Sequence, residues 1–302
     1  MSTGLLLGLF SSLTWGIVDV TGALAGRRVG STAVLAGAQL VSVATLVLIV
    51  LADPSRLGPN PATGFLAGFP VGVGAALAYL SYFTALRIGP LSVVSPVILA
   101  YGGATVVLAV LLRGETLLPA QALGALLATA GVVLAGIVFH GGRLRGARLV
   151  GPGVLVAVLT IILFSVVTVA LAGPIQAYGW LSVGLGSRVA NAMSAVVLLI
   201  VVVLRSRSRA AEASPGVIVE RRFTAFVLGL ILATGLCDVA GFVTFAIGLE
   251  IAPTWLVGLA SSFGPVIAVV FAVRQLGERL RPTQWAGLAL LAGGVVVLAV
   301  SG

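Results

Sequence analysis

The chain has 302 residues, of which 60% are apolar and 8% charged, and its mean hydropathy is +1.23. That composition leaves too few polar side chains to cover a soluble domain, so it excludes a cytosolic globular protein and points to the lipid bilayer. A formal charge of +9 would suggest nucleic acid in a soluble chain, but all 17 basic residues are Arg, and they cap apolar runs. They mark membrane orientation, and no nucleic-acid role is expected.

Ten apolar runs have the length that crosses roughly 30 Å of hydrocarbon. In chain order they are 4–25, 32–51, 64–86, 91–112, 119–139, 150–172, 182–204, 223–247, 254–273 and 282–300. Backbone facing lipid must pair within its own segment, so these are expected to be helices: an all-α polytopic membrane protein with ten transmembrane helices. The first run ends in "ALAG", which could pass for a signal-peptidase site. No basic residue precedes it, Asp19 interrupts its apolar core and it has a counterpart later in the chain, so it is kept as a helix. Pro96 and Pro265 fall inside the fourth and ninth runs and should kink them. His140, the one histidine, lies at the end of the fifth run and reads as solvated. The stretch 205–222, rich in Ser and Arg with Pro215 and Gly216, reads as a linker. A single cysteine, Cys237, rules out an internal disulfide and a multi-cysteine metal site, so no cofactor or metal is expected.

The runs form two sets. "LLRGETLLPAQALG" from Leu111 returns as "RQLGERLRPTQWAG" from Arg274, and Pro90/Pro253, Gly114/Gly277, Glu115/Glu278, Pro119/Pro282, Gln121/Gln284, Gly124/Gly287 and Gly131/Gly294 are all 163 apart. Upstream, an offset of 149 matches Gly4/Gly153, Trp15/Phe164, Gln39/Arg188 and Val50/Leu199. The chain therefore divides into two five-helix repeats, 1–140 and 141–302. Five is odd, so the second repeat should enter the membrane from the opposite side. Arg27, Arg28, Arg87, Arg143, Arg145, Arg148, Arg205, Arg207, Arg209, Arg221, Arg222, Arg274, Arg279 and Arg281 fall on one side, against Arg56 and Arg113 on the other. The richer side is expected to be cytoplasmic, which puts both termini outside the plasma (inner) membrane.

Inverted repeats recur in secondary transporters, with the ligand near the midplane between the halves. Three ionisable groups sit at that depth: Asp19 in the first helix, Arg188 in the seventh and Asp238 in the eighth. Insertion into a helix centre costs roughly 2.5–3.5 kcal/mol for such groups unless they are paired or hydrated. Polar and small residues share their helical faces: Ser11, Trp15 and Gly22 with Asp19, Gly184 and Asn191 with Arg188, and Thr234, Gly241 and Phe242 with Asp238. Arg188 and Asp238 could form a static ion pair or line a cavity; Asp19 has no basic partner within its own span. Gln39 aligns with Arg188, and Trp15, Tyr79, Tyr82 and Tyr101 could stack on a ligand or simply fill the core. Glu115 and Glu278, before helix-starting prolines, read as structural. Gly124, Ala128, Gly287 and Gly294 mark close helix approach.

The repeat layout, "WGIVDV" followed by "GRR", "GSR" in the seventh helix, "GLCDVAGFVTFAIGLEIAP" through the eighth and the two "GE…P.Q..G" turns resemble the EamA-type branch of the drug/metabolite transporter superfamily. The resemblance spans nearly the whole chain. It implies a ten-helix carrier with a central cavity, often an exporter, and the chain shows no P-loop string for ATP. Better-studied relatives are drawn with both ends in the cytoplasm, whereas these arginines indicate the reverse.

The expected activity is secondary-active transport of a small polar or zwitterionic metabolite by alternating access, with a proton or cation as coupling partner and membrane lipid around it. Arg188 is available to an anionic group, and Asp19 or Asp238 to a cationic group or a proton. A flippase for a lipid or lipid-linked sugar is the alternative and predicts a lateral opening between helices. An enzyme is not expected, because no paired carboxylates with His and no Ser/His/Asp grouping share a depth.

Overall fold

A computed structural model of the chain describes residues 2–88, 98, 100–136, 152–212, 223–264 and 282–301. Ten α-helices occupy these residues: α1 (Ser2–Val29), α2 (Ser31–Ala52), α3 (Pro61–Ile88), α4 (Tyr101–Arg113), α5 (Pro119–Gly136), α6 (Pro152–Tyr178), α7 (Trp180–Glu212), α8 (Ala225–Ile251), α9 (Thr254–Ser261) and α10 (Pro282–Val300). No strand occurs among the described residues. Seven helices, α1, α2, α3, α6, α7, α8 and α10, are long and apolar enough to cross a membrane. The expected fourth, fifth and ninth runs extend beyond the described residues, as do Pro96, His140, Pro265 and Glu278.

The outer surface is apolar. Leu51, Leu66, Leu111 and Val300 are each more than two-thirds exposed, while Ser11, Ser42, Thr105, Thr160 and Ser165 are fully buried. That inversion of the soluble pattern is what a hydrocarbon solvent selects, since lipid tails accept leucine while hydroxyls must find partners inside. Thr105 and Thr160 do so by bonding back along their own helices, to the Tyr101 and Val156 carbonyls, and Ser165 by bonding across to the Tyr101 carbonyl.

Two single-residue hinges carry the repeat into the backbone. Gly30 joins α1 to α2 and Gly179 joins α6 to α7, each with φ at +87°. In each, the glycine N–H donates to the carbonyl four residues back, Gly26 or Ile175. Only glycine adopts that φ freely, so two long helices can be joined without a loop.

Helix packing follows the same equivalence. α1 packs on α8 as α6 packs on α3, and α1 meets α9 as α6 meets α4. The equivalent helices α2 and α7, α4 and α9, and α5 and α10 also pack on each other. All three pairs run antiparallel. Gly102 lies against Ser262 while Thr105 lies against Gly258, and Gly124 lies against Leu298 while Gly131 lies against Leu291. In the α2/α7 pair, Gln39 bonds to Arg188 and Leu46 shares an apolar cluster with Leu181. The α5/α10 contact is backbone on backbone: a Cβ at Gly131 would stand 2.3 Å from the Leu291 nitrogen, and one at Gly294 2.5 Å from that of Ala128. Small residues allow the dispersion contact that holds helices together in lipid.

One end of the bundle is packed tightly around α9. Every residue of α9 is buried, and Gly4 and Gly8 of α1 press against Ala252 and Ala260. Glu115, from the turn after α4, caps that helix. Its two carboxylate oxygens accept from the Thr254 and Trp255 amides, satisfying the orphan N–H groups that begin α9. Arg113 donates to Glu115 at 3.1 Å and also to Gln176 of α6, and Gln176 donates to the Leu249 carbonyl of α8. Glu115 is thus structural, as its place in the turn suggests.

The stretch 205–222 departs from expectation. It does not begin as a linker, because α7 continues to Glu212. "RSRSRAAE" is too polar for hydrocarbon, but Arg, Ala and Glu are strong helix formers, so the helix outruns the apolar run. The remainder, with Pro215 and Gly216, lies outside the described residues.

Candidate functional site

Helices of both repeats enclose a cavity of about 360 Å³. Trp15 and Asp19 reach it from α1, Tyr79 and Tyr82 from α3, Tyr101 from α4 and Phe164 from α6. Arg188 and Asn191, one turn apart on α7, share another wall with Phe242 and Phe245 of α8. Ser261 and Ser262 line it from the inner end of α9.

The walls repeat. Trp15 and Phe164, and Asp19 and Thr168, stand 149 residues apart, while Tyr79 and Phe242, Tyr82 and Phe245, and Ile98 and Ser261 stand 163 apart. All ten residues line the cavity. The aromatic rings gather in two equivalent groups. Phe164 is ringed by Tyr79, Tyr101 and Tyr82 at centroid distances of 5.3, 5.9 and 6.3 Å, and its counterpart Trp15 meets Phe245 at 5.4 Å. Gly241 makes room for Trp15, since a Cβ there would stand 2.9 Å from the indole nitrogen.

The two charged loci differ. Arg188 Nη1 donates to Asp238 Oδ2 at 2.6 Å and to Gln39 Oε1 at 3.2 Å, and Gln39 Nε2 donates to the same Asp238 oxygen at 3.1 Å. The guanidinium lies 4.1 Å over the Phe242 ring, which covers one of its faces. Gln39 and Arg188 are equivalent positions on antiparallel helices, so they meet where the repeats exchange. Burying a charge pair requires that both partners stay hydrogen-bonded, and the Gln39 amide serves both at once. Asp19 makes no hydrogen bond or ion pair among the described residues, and it is exposed where it lines the cavity.

Of the residues singled out from the sequence, Trp15, Asp19, Tyr79, Tyr82, Tyr101, Arg188 and Asn191 line the cavity. Gln39 and Asp238 do not: each is 2% exposed and sits behind the wall that Arg188 forms. Asp238 is therefore placed to neutralise Arg188 rather than to meet a ligand. Phe164, Thr168 and Phe245 belong to the site without having been singled out, and the repeat offsets are the signal that finds them. Asn191 is 2% exposed, and its Oδ1 has no hydrogen-bond partner among the described residues.

Comparison with known proteins bears on this architecture. No curated protein matches the chain. A solved structure titled only "Crystal structure of protein", one of 29 similar chains of known structure, is 23% identical over 98% of this chain and 96% of its own, with a TM-score of 0.74. At that identity the likeness speaks for the fold alone. The sequence profile of the EamA-like transporter family matches residues 2–137 and again residues 151–300. With both repeats matched, this multi-pass membrane protein belongs to the EamA-like transporter family.

Proposed function

We propose that the chain is a secondary-active carrier that exports a small polar or zwitterionic metabolite by alternating access, with a proton or cation as coupling ion. Residues 1–140 and 141–302 form two inverted five-span repeats in the plasma (inner) membrane, with both termini extracytoplasmic. The observation that carries this reading is the cavity between repeats, built from equivalent positions of both and furnished with aromatic rings and, among the described residues, one unpaired carboxylate. A site shared by two antiparallel halves can be exposed to either side by rocking one half on the other. The arginine asymmetry supports the orientation, and on it the end where Glu115 caps α9 is extracytoplasmic.

Coupling requires a group whose protonation or ion occupancy shifts the equilibrium between the two openings, and an ion does that only if it binds them unequally. Asp19 is the group suited to that task, because a change of its charge is not absorbed by any neighbouring ion among the described residues. The test is proteoliposomes holding a pH-sensitive dye, screened with amino acids, amines and sugar phosphates. The expected result is solute-dependent proton flux with at least one class, abolished in Asp19→Asn. Undiminished flux in a folded Asp19→Asn protein removes Asp19 from the coupling site.

A further inference from the structure

Resting on the carrier reading, the cavity narrows the ligand class proposed there to one charge type and excludes its zwitterionic member. We infer that the ligand binds as an organic monocation, an ammonium bearing at least one N–H on an apolar or aromatic body, with the ammonium at Asp19 and Asn191 and the body against the tyrosine-ringed wall.

Charge balance comes first. Arg188 is neutralised from behind by Asp238 at 2.6 Å and is held by Gln39 and the Phe242 face. Among the described residues this leaves Asp19 as the one uncompensated charge at the cavity. A zwitterion would leave the occupied site negative, and an anion would double the excess in a low-dielectric enclosure. A monocation brings the occupied site to neutrality, the state that such an enclosure favours. Arg188 Nη1 is committed to Asp238 and Gln39, so a ligand carboxylate that drew it away would leave the buried Asp238 carboxylate with the Gln39 amide alone.

The walls agree with this. Tyr79, Tyr82 and Tyr101 stand around Phe164, with Trp15 opposite on the equivalent helix. Aromatic faces attract a desolvated cation and accept an apolar body equally well. Asn191 decides the type of ammonium: its buried Oδ1 lacks a donor among the described residues, and a ligand N–H supplies one. A quaternary ammonium satisfies Asp19 and the rings but leaves that acceptor bare.

The test uses the purified full chain in detergent and four probes of similar body and different charge: benzylammonium, benzyltrimethylammonium, phenylalanine and benzoate. Binding is read by calorimetric titration and by the shift in unfolding temperature. The expected order is benzylammonium, then benzyltrimethylammonium, with phenylalanine and benzoate at least tenfold weaker. Asp19→Asn should weaken benzylammonium tenfold or more while its unfolding temperature without probe stays at the wild-type value, and Asp19→Glu should restore binding. Asn191→Ala should bring benzylammonium down to the level of benzyltrimethylammonium. Phenylalanine or benzoate binding as well as benzylammonium, benzylammonium indifferent to Asp19→Asn, or no cation binding at millimolar concentration would each overturn the inference. Cation binding without counterflow of labelled benzylammonium in proteoliposomes would leave the site standing and overturn the carrier reading instead.

Discussion

Asp238 and Asp19 are carboxylates on neighbouring spans that pack together, and their surroundings are opposites. Asp238 is 2% exposed and receives Arg188 and Gln39 on one oxygen, whereas Asp19 is open to the cavity and takes no partner among the described residues. A charge inside a membrane bundle is thus no single category. One is compensated by the fold and holds α2, α7 and α8 together; the other has no compensating partner among the described residues, and on the proposed reading it awaits the ligand. Expense alone does not single out a ligand group in lipid; an expense left uncompensated is the better candidate.

The comparison breaks most violently at Arg188. Arg188→Met leaves Asp238 buried beside an amide and no cation, and loss of one member of a buried pair costs about 3–5 kcal/mol. Unfolding in detergent should register that loss, and any loss of transport would follow from it. The triple variant Arg188→Met, Asp238→Leu and Gln39→Leu should recover most of the stability, because apolar side chains of similar volume replace the whole network and leave neither a charge nor an amide buried without a partner. A single variant as stable as wild type would mean that the network holds nothing together.

Gln39 comes next. Gln39→Leu keeps the volume and removes the donor to Asp238 and the acceptor from Arg188, both bonds to charged groups. The expected loss is about 2 kcal/mol, smaller than at Arg188 because the ion pair itself survives. Equal losses at the two positions would show that the amide, and not the opposite charge, is the indispensable partner.

Much of this contrast could be read from the residues, and the part that could not has a physical reason. Hydropathy located the helices because lipid selects on transfer energy, and it failed at the end of α7 because it measures solvent preference and not helicity, which "RSRSRAAE" retains in water. Helical spacing put Asp19, Arg188 and Asp238 on inward faces. It could not tell Asp238 from Asp19, since which inward residue meets a cation depends on how α7 crosses α8. The offset between Gln39 and Arg188 held the missing clue: equivalent positions on antiparallel helices converge on the axis that relates the repeats. The same offsets turn Trp15, Asp19 and Tyr82 into Phe164, Thr168 and Phe245, which a search for ionisable residues passes over.

Asp19→Asn sharpens the comparison from the other side. The substitution is nearly isosteric and breaks no bond among the described residues, so stability should stay within about 0.5 kcal/mol of wild type. Transport in proteoliposomes should nonetheless disappear. A large loss of stability would reveal that Asp19 has a structural partner, and the contrast with Asp238 would close.

The smallest effect is expected at a third carboxylate, Asp53, which serves as the solvated control. It lies between α2 and the short turn Pro54–Leu57, where the Ser55 hydroxyl donates to one oxygen at 2.5 Å and Arg56 to the other at 2.8 Å. The Ser55 hydrogen bond, followed by that from Arg56, holds its carboxyl below the usual carboxylate range. A depressed value in the folded state means that any stabilisation is present above the ordinary carboxylate value and fades as the pH falls through the folded one. With the side chains of Arg56 and Asp53 60% and 43% exposed, water and salt screen the pair, and Asp53→Asn should change neither unfolding nor transport measurably. Unfolding curves of wild type and variant, taken from neutral pH down into the acid range, should superimpose. Divergence at neutral pH would show that a paired carboxylate matters here even in water, and that the gap between Asp238 and Asp19 cannot be laid to burial and compensation alone.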